Sequence, residues 1–390
     1  MSQHLMQTYA RQPVAFTHGE GVWLYDENGE KYLDAVAGVA VSGLGHAHPV
    51  LARALCEQAG RLIHTSNLYR IPKQEELADR LCALSGLDRA FFCNSGAEAN
   101  EAAIKLARLH GHNRGIDNPA IVVMEKSFHG RTLATLSATG NRKVQAGFEP
   151  LVGGFVRVPF GDADAVAKLA AHHNNIVAVL VEPCQGEGGV QIPHADYLDR
   201  LRAICDQNEW LLMLDEVQTG IGRTGKWFAF QHSNSLPDVM SLAKGLGSGV
   251  PIGACLARGV AAEVFTYGKH GSTFGGNPFA CTAALTTLAV MEADNLLGNA
   301  AEVGAFIVDT LKRELGQVAG VRDVRGQGLI IGIELDRPCG DLVKLALAEK
   351  LLINVTADNV VRLIPPLVMN RDEAALLTDK LAALIWAFLN

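Results

Sequence analysis

Six short runs in the middle of the chain are apolar almost without interruption: Ala90–Cys93, Ala120–Met124, Ile176–Val181, Trp210–Leu214, Val239–Ala243 and Ile252–Ala257. A strand with one wet face must alternate apolar and polar residues. A strand covered on both faces need not, so these runs predict strands buried on both sides. Between them the apolar positions recur at helical spacing. Ala99, Ala102, Ala103 and Leu106 fall on one face of one helix, and a second pattern spans Ala195 to Gln207. Strand–helix alternation predicts an α/β fold: a mostly parallel sheet with helices on both faces.

The pattern changes in the last third. Long helical periodicity covers Ala280–Glu292 and Ala300–Leu315. A glycine-bearing, strand-like stretch follows at Val321–Leu335, then short strands at Leu351–Val355 and Val361–Leu363. This part reads as α+β. Near the start, Val22–Tyr25 and Tyr32–Leu33 flank Asn28-Gly29, the signature of a tight hairpin, expected to pack with the C-terminal part. No apolar run approaches the ~20 residues needed to span a bilayer. The polar segment Met1–Gln12 lacks the apolar centre of a secretion signal. A soluble, cytoplasmic protein is expected.

Composition narrows the class. The 390 residues exceed the ~250–300 at which single cores stop growing, so two domains are expected. With 48% hydrophobic and 19% charged residues the chain is too apolar to be disordered. A net charge of −7 sets it against nucleic acid and anionic membranes, leaving a small ligand. None of the eight cysteines forms C-x-x-C, and several sit inside apolar runs as small buried thiols, which suits a reducing compartment. Glycine is raised, 40 residues against about 7% in average proteins, and needs a reason.

Candidate chemistry lies at the strand ends. Gly220–Lys226 satisfies G-x-G-x-x-G and nearly a P-loop. Trp227 stands where the P-loop needs Ser or Thr, and no good amphipathic helix follows, so a nucleotide site is disfavoured. Asn94–Glu98 follows one strand and opens a helix. Ser95-x-x-Glu98 can be a capping box, and the same helix start can be an anion site. Asp215 ends an apolar strand, where a carboxylate is costly unless paired with a cation. Lys244 ends the next strand, 29 residues later, among Gly245, Gly247 and Gly249. Burial there would lower its pKa and make it a nucleophile. A phosphate cup, an acid and a lysine together match what pyridoxal phosphate needs: a phosphate site, a partner for the pyridine nitrogen and an amine for the aldehyde. His46 and His48 have no third partner for a metal, so a loop or capping role is favoured.

Nearly the whole chain resembles the class III, fold-type I pyridoxal-phosphate aminotransferases, most closely their bacterial acetylornithine-specific members. The resemblance is carried by Leu44–Pro49, Asn94–Glu101, Phe128–Thr132, Glu182–Gly189, Asp215–Gly220, Ala243–Gly245, Gly271–Pro278 and Arg362–Leu367. It implies that Lys244 binds the cofactor aldehyde and Asp215 pairs with the ring nitrogen. Ser95, Gly96 and Ala97 would hold the phosphate, with Thr273 contributed by the partner of a homodimer. Phe128 and Val217 would cover the two ring faces. Gln218 would reach the phenolic oxygen, supported by Glu182. Arg131 would bind a substrate carboxylate, and Arg362 the α-carboxylate of glutamate or 2-oxoglutarate. Glu187 would cover Arg362 when the ω-amino substrate is bound. His129 is left without a role, and Cys184 replaces a usual aliphatic residue. The loop Val39–Gly43, placed near the substrate, carries only small residues.

The resemblance further implies a seven-stranded, mainly parallel sheet with the strand near Ile252–Ala257 antiparallel. Residues 59–282 would form the large cofactor domain, and residues 1–58 with 283–390 the smaller α+β domain. The implied reaction moves the terminal amino group of N2-acetyl-L-ornithine to 2-oxoglutarate by a ping-pong route in arginine biosynthesis. Succinylornithine, succinyl-diaminopimelate and ornithine are alternative donors. An aminomutase is disfavoured by Arg362 and its cover Glu187, and a non-enzymatic cofactor-binding protein by the intact Lys244 and Asp215.

Overall fold

The computed structural model describes residues 4–390, so the first three residues of the polar Met1–Gln12 segment lie outside it. The central sheet has seven strands in the order Arg89–Cys93, Gly253–Ala257, Val239–Leu242, Leu211–Asp215, Ile176–Val181, Ala120–Met124 and Phe155–Val158. Every run read as a doubly buried strand is a strand of this sheet, but Arg89–Cys93 lies at an edge, with Ala90 and Phe91 only partly buried. Gly253–Ala257 is antiparallel to both neighbours, as expected, and the remaining pairs are parallel. The five strands between the edges are buried at every position. That is why their sequences show no alternation. Phe155–Val158, at the other edge, gave no such signal because the exposed Arg157 interrupts its apolar residues.

The helix from Gly96 to Asn113 buries Ala99, Ala102, Ala103 and Leu106 against this sheet, and continues well past Leu106. The second helical pattern forms Tyr197–Asn208. In the last third the helices run Pro278–Ala293 and Leu296–Leu315, and Val321–Leu335 is a hairpin of Val321–Gln327 and Ile330–Leu335. Val360–Leu363 and Asn354–Thr356 extend that hairpin to a four-stranded sheet. The stretch Leu351–Val355, read as one strand, is split between two sheets. Leu351–Leu352 pairs with Lys31–Asp34 of the N-terminal hairpin, while Asn354–Thr356 joins the C-terminal sheet. The expected contact between the chain's two ends is therefore made by backbone hydrogen bonds. The hairpin also gains a third strand, Phe16–Glu20, too polar and exposed to show in the pattern. A last helix, Arg371–Leu389, is opened by a reciprocal Asn370–Glu373 capping box.

The Gly220–Gly225 stretch does not open a helix. A Cβ on Gly222 would lie 2.4 Å from Met291 and one on Gly225 2.9 Å from Ala301, so these glycines admit the neighbouring helices. Arg223 between them is buried and donates to the carbonyls of Leu329 and Pro365. Burial pulls its pKa down to about 9. The stretch is committed to joining parts of the fold.

A very tight backbone approach lies under the Leu296–Leu315 helix. A Cβ on Gly304 would stand 2.0 Å from the carbonyl oxygen of Gly328, at the hairpin turn. Backbone cannot swing aside as a side chain can. Gly304→Ala is expected to lower the unfolding free energy by about 1–3 kcal/mol. Equilibrium urea unfolding checks this: the midpoint should fall with an unchanged m-value.

Candidate active site

The strands ending at Cys93, Asp215 and Leu242 point the same way, so their carboxyl ends share one rim of the sheet. At that rim lies a cavity of about 440 Å³. Ser95, Gly96, Ala97, Phe128, Arg131, Glu182, Glu187, Asp215, Val217, Gln218 and Lys244 all line it. Open α/β sheets place their ligands at this edge. Thr273 does not line it. It borders a separate hollow with Ser272, Glu98, Glu101 and His270.

Ser95 caps the Gly96–Asn113 helix by accepting from the Glu98 N–H at 3.2 Å. The Glu98 carboxylate reaches back to the N–H of Asn94, 2.5 Å away, so the capping box closes one residue earlier than its sequence form implies. The first N–H groups of a helix have no intrahelical acceptor, and here Gly96 and Ala97 border the cavity. A Cβ on Gly96 would fall 2.6 Å from Val217 Cγ1. Only glycine lets the helix start sit this close to the floor, which makes a cradle for an anion.

Asp215 is 4% exposed and held on both oxygens. Oδ2 accepts from Asn100 Nδ2 at 2.7 Å and from His129 Nδ1 at 2.8 Å, and Oδ1 accepts from the Val217 N–H at 3.0 Å. Asn100 is itself fixed, donating to the His129 carbonyl and accepting from Ser241 Oγ at 2.6 Å. His129 Nε2 is buried without a partner among the described residues. Asn100, His129 and Ser241 are the residues that sequence reasoning left without roles. Two of them sit inside the recognised motifs, but nothing along the chain says that they converge on one carboxylate.

Lys244 adopts a left-handed backbone (φ 47°) in the turn after its strand. Burial lowers the pKa of its amine, helped by the charge of Arg362 and opposed by Glu187, Asp215 and Glu182. Burial pushes the Glu182 carboxyl well above the ordinary range, and the Asp215 charge adds to this, although Glu182 accepts from the Phe128 N–H at 2.9 Å.

Arg362 lies behind this cavity, 1% exposed. Nη1 donates to Glu187 Oε1 at 2.7 Å and to Gln218 Oε1 at 3.3 Å, while Nε and Nη2 both donate to Asn354 Oδ1. Asn354 is the register partner of Arg362 on the adjacent strand, another contact with no motif to announce it. Arg131 is exposed at the outer mouth, its guanidinium 5.6 Å from the Phe128 ring centre. With Phe128 and Glu187 it also borders an outer hollow of about 940 Å³. Cys184 packs with Ala40, Val190, Ile330 and Ile364 rather than lining the cavity. His46 reaches Asp34 Oδ2 at 2.8 Å, a structural contact in the N-terminal loop.

These residues fit pyridoxal phosphate on geometry alone. The cradle at Gly96 suits a phosphate, buried Asp215 a cationic ring nitrogen, and the low-pKa amine of Lys244 an aldehyde.

The comparisons agree with this geometry. The model of the aminotransferase class-III family matches residues 6–385. An acetylornithine aminotransferase of Nitrosomonas europaea is 64% identical over 386 residues, covering 99% of this chain and 98% of its own. Acetylornithine aminotransferase 1 of Bordetella pertussis is 54% identical over 389 residues, covering 100% and 99%. Among solved structures, the ornithine aminotransferase of Toxoplasma gondii superposes with a TM-score of 0.96 at 35% identity, over 99% of this chain and 93% of that one. The acetylornithine aminotransferase of Elizabethkingia anophelis gives 0.88 at 34% identity, over 99% and 97%. The fold, the cavity and these matches agree: the chain belongs to the class-III aminotransferases, a family of pyridoxal-phosphate-dependent transaminases.

Proposed function

We propose that this enzyme moves the terminal amino group of N2-acetyl-L-ornithine to 2-oxoglutarate, giving N-acetylglutamate 5-semialdehyde and glutamate. The observation that carries this reading is the Glu187–Arg362 pair, closed over the inner end of a cavity whose outer mouth holds Arg131. The names of the two curated relatives support the donor.

Pyridoxal phosphate supplies an aldehyde and an electron-withdrawing ring when bound. Ser95, Gly96 and Ala97 would hold its phosphate, Phe128 and Val217 would cover its faces, and Gln218, backed by Glu182, would meet its phenolic oxygen. Asp215, fixed by Asn100 and His129, would pair with its ring nitrogen. Lys244 Nζ would hold the aldehyde and, when free, would take and return a proton at the substrate carbon. Burial shifts that amine toward the neutral form that can accept a proton.

Two substrates use the site in turn. The donor places its α-carboxylate on Arg131 while Glu187 keeps Arg362 occupied. Glutamate or 2-oxoglutarate puts its α-carboxylate on Arg362, displacing Glu187, and its second carboxylate on Arg131. At the buried Arg362 the exchange replaces one carboxylate by another, so neither state leaves that charge bare.

Ornithine aminotransferases among the structural neighbours make free ornithine the second reading. With the α-carboxylate on Arg131, a free α-ammonium would sit beside a guanidinium, whereas an acetamide carries no charge. We place the protein in the cytoplasm as a homodimer in which Thr273 completes the partner's phosphate site. Eight free cysteines support a reducing compartment.

A donor panel at fixed 2-oxoglutarate tests the substrate. Acetylornithine should exceed ornithine in kcat/KM by about tenfold or more, a difference of ~1.4 kcal/mol; preference for ornithine overturns the assignment. Lys244→Ala should fold with an unchanged melting temperature and lose about 10⁴-fold in kcat. Borohydride should fix the cofactor to the Lys244 peptide of the parent enzyme and to no peptide of the variant, as read by mass spectrometry.

A further inference from the structure

The loop that carries Glu187 is pinned from the far side by the sheet that carries Arg362. Its base is a narrow bridge, with Gln185 and Gln191 exchanging backbone hydrogen bonds of 3.0 Å. Arg325, on the Val321–Gln327 strand, donates from Nε to the carbonyl of Val190 at 2.7 Å and from Nη2 to that of Gly189 at 2.6 Å. Its remaining nitrogen pairs with Asp323 and Glu334, both at 2.9 Å, and its side chain is 15% exposed. Thr356, on the Asn354–Thr356 strand, donates from Oγ1 to the carbonyl of Glu187 itself at 2.5 Å. Arg362 and Asn354 belong to the same four-stranded sheet.

This arrangement constrains how Glu187 can move. Carbonyls 187, 189 and 190 are all held, so the backbone is fixed relative to Arg362. The Glu187 side chain is 38% exposed, against 2% for Arg362, and has room to turn toward solvent. A charge-assisted fork onto two carbonyls is stiff and directional in a way that a single lysine contact is not.

We propose that Arg325 and Thr356 are positioning residues for the Glu187–Arg362 gate: they fix the loop backbone so that the gate opens by rotation of the Glu187 side chain alone. The pair thereby sets the balance between the two half-reactions. The proposal rests on the gate described above. Slackening the loop weakens the cover over Arg362, which favours glutamate and disfavours the ω-amino donor.

The test measures kcat/KM separately for the acetylornithine and glutamate half-reactions of the loaded enzyme, with thermal unfolding of each variant. Glu187→Gln should lower the donor-to-glutamate ratio. Arg325→Gln and Thr356→Val should each lower it by roughly three- to tenfold. Arg325→Lys, which keeps the charge beside Asp323 and Glu334 but not the fork, should fall between Arg325→Gln and the parent enzyme. In the Glu187→Gln background, Arg325→Gln should leave the ratio unchanged, because the group it positions is gone. A purely structural role would slow both half-reactions alike and leave the ratio as in the parent. The proposal is overturned if Glu187→Gln shifts the ratio while Arg325→Gln and Thr356→Val do not. It is also overturned if Arg325→Gln shifts the ratio equally in both backgrounds. An unshifted ratio in Glu187→Gln would reject the gate itself, and the positioning role with it. Should Arg325→Gln fail to fold, Thr356→Val, which removes one hydroxyl at nearly constant volume, decides the question.

Discussion

The guanidinium of Arg362 is almost wholly shut off from water, and a buried cation is tolerable only while its N–H groups are met and its charge is balanced. Asn354 and Gln218 meet donors but bring no charge, so the balance falls to Glu187. Breaking such a pair by removing one partner typically costs about 3–5 kcal/mol, whereas exchanging one carboxylate for another costs far less. A site built around this cation is therefore suited to incoming carboxylates. It also has a defined resting state in which its own Glu187 occupies the place of the ligand. The α-carboxylate of glutamate and 2-oxoglutarate in the proposed reaction answers that constraint.

The sheet and its rim exist, in this view, to bring other costly groups to the same place. Asp215 and Glu182 are buried in one cavity with the partly buried Lys244, whose amine pKa is lowered there. Asp215 is held by side chains from the helix after the first strand, the loop after the Ala120–Met124 strand, and the neighbouring strand through Ser241. Three separately folded elements thus agree on the direction of one carboxylate. That convergence is available to a parallel sheet because all its strand ends emerge on one side. Glu216, the next residue, serves the floor of the site differently. It accepts from Thr219 and from the N–H groups of Ala229 and Phe230, tying the Asp215–Gln218 segment to the turn beyond it. Burial pushes its pKa to about 7.

What the sequence disclosed follows from burial and from local chemistry. Strands such as Ile176–Val181 were legible because both faces are covered and every position is apolar. Phe155–Val158 and Phe16–Glu20 were not, because edge strands are defined by backbone pairing that polar side chains do not reveal. Lys244, Asp215 and the Ser95–Gly96 helix start were legible because each sits directly after a strand. Arg325 was not, since it acts on carbonyls, which every residue possesses, and so leaves no pattern in its targets. The glycines divide in the same way. Gly96 does border the cavity, but Gly222, Gly225 and Gly304 are required by helices packed against backbone. Part of the raised glycine content therefore belongs to packing and not to ligand contact.

The N-terminal segment shows how a remote element can shape the site. Ala37, Gly38, Val39 and Ala40 have consecutive φ values of 50°, 63°, 67° and 62°. Left-handed backbone costs roughly 1–2 kcal/mol per L-residue, so the three non-glycine residues together cost about 3–6 kcal/mol. Val39, being β-branched, is the least tolerant. Asp34 offsets this. Its Oδ1 accepts from the N–H groups of Val36 and Ala37 at 2.8 and 2.9 Å, and its Oδ2 is held by His46 at 2.8 Å. Hydrogen bonds to a charged group contribute about 1.5–3 kcal/mol each, enough together to balance the turn. The turn in turn delivers Val41 to the wall of the Lys244 cavity. Asp34 itself ends the strand that pairs with Leu351–Leu352. One wall of the site is thus strained backbone, and it is held in place by a sheet drawn from both ends of the chain.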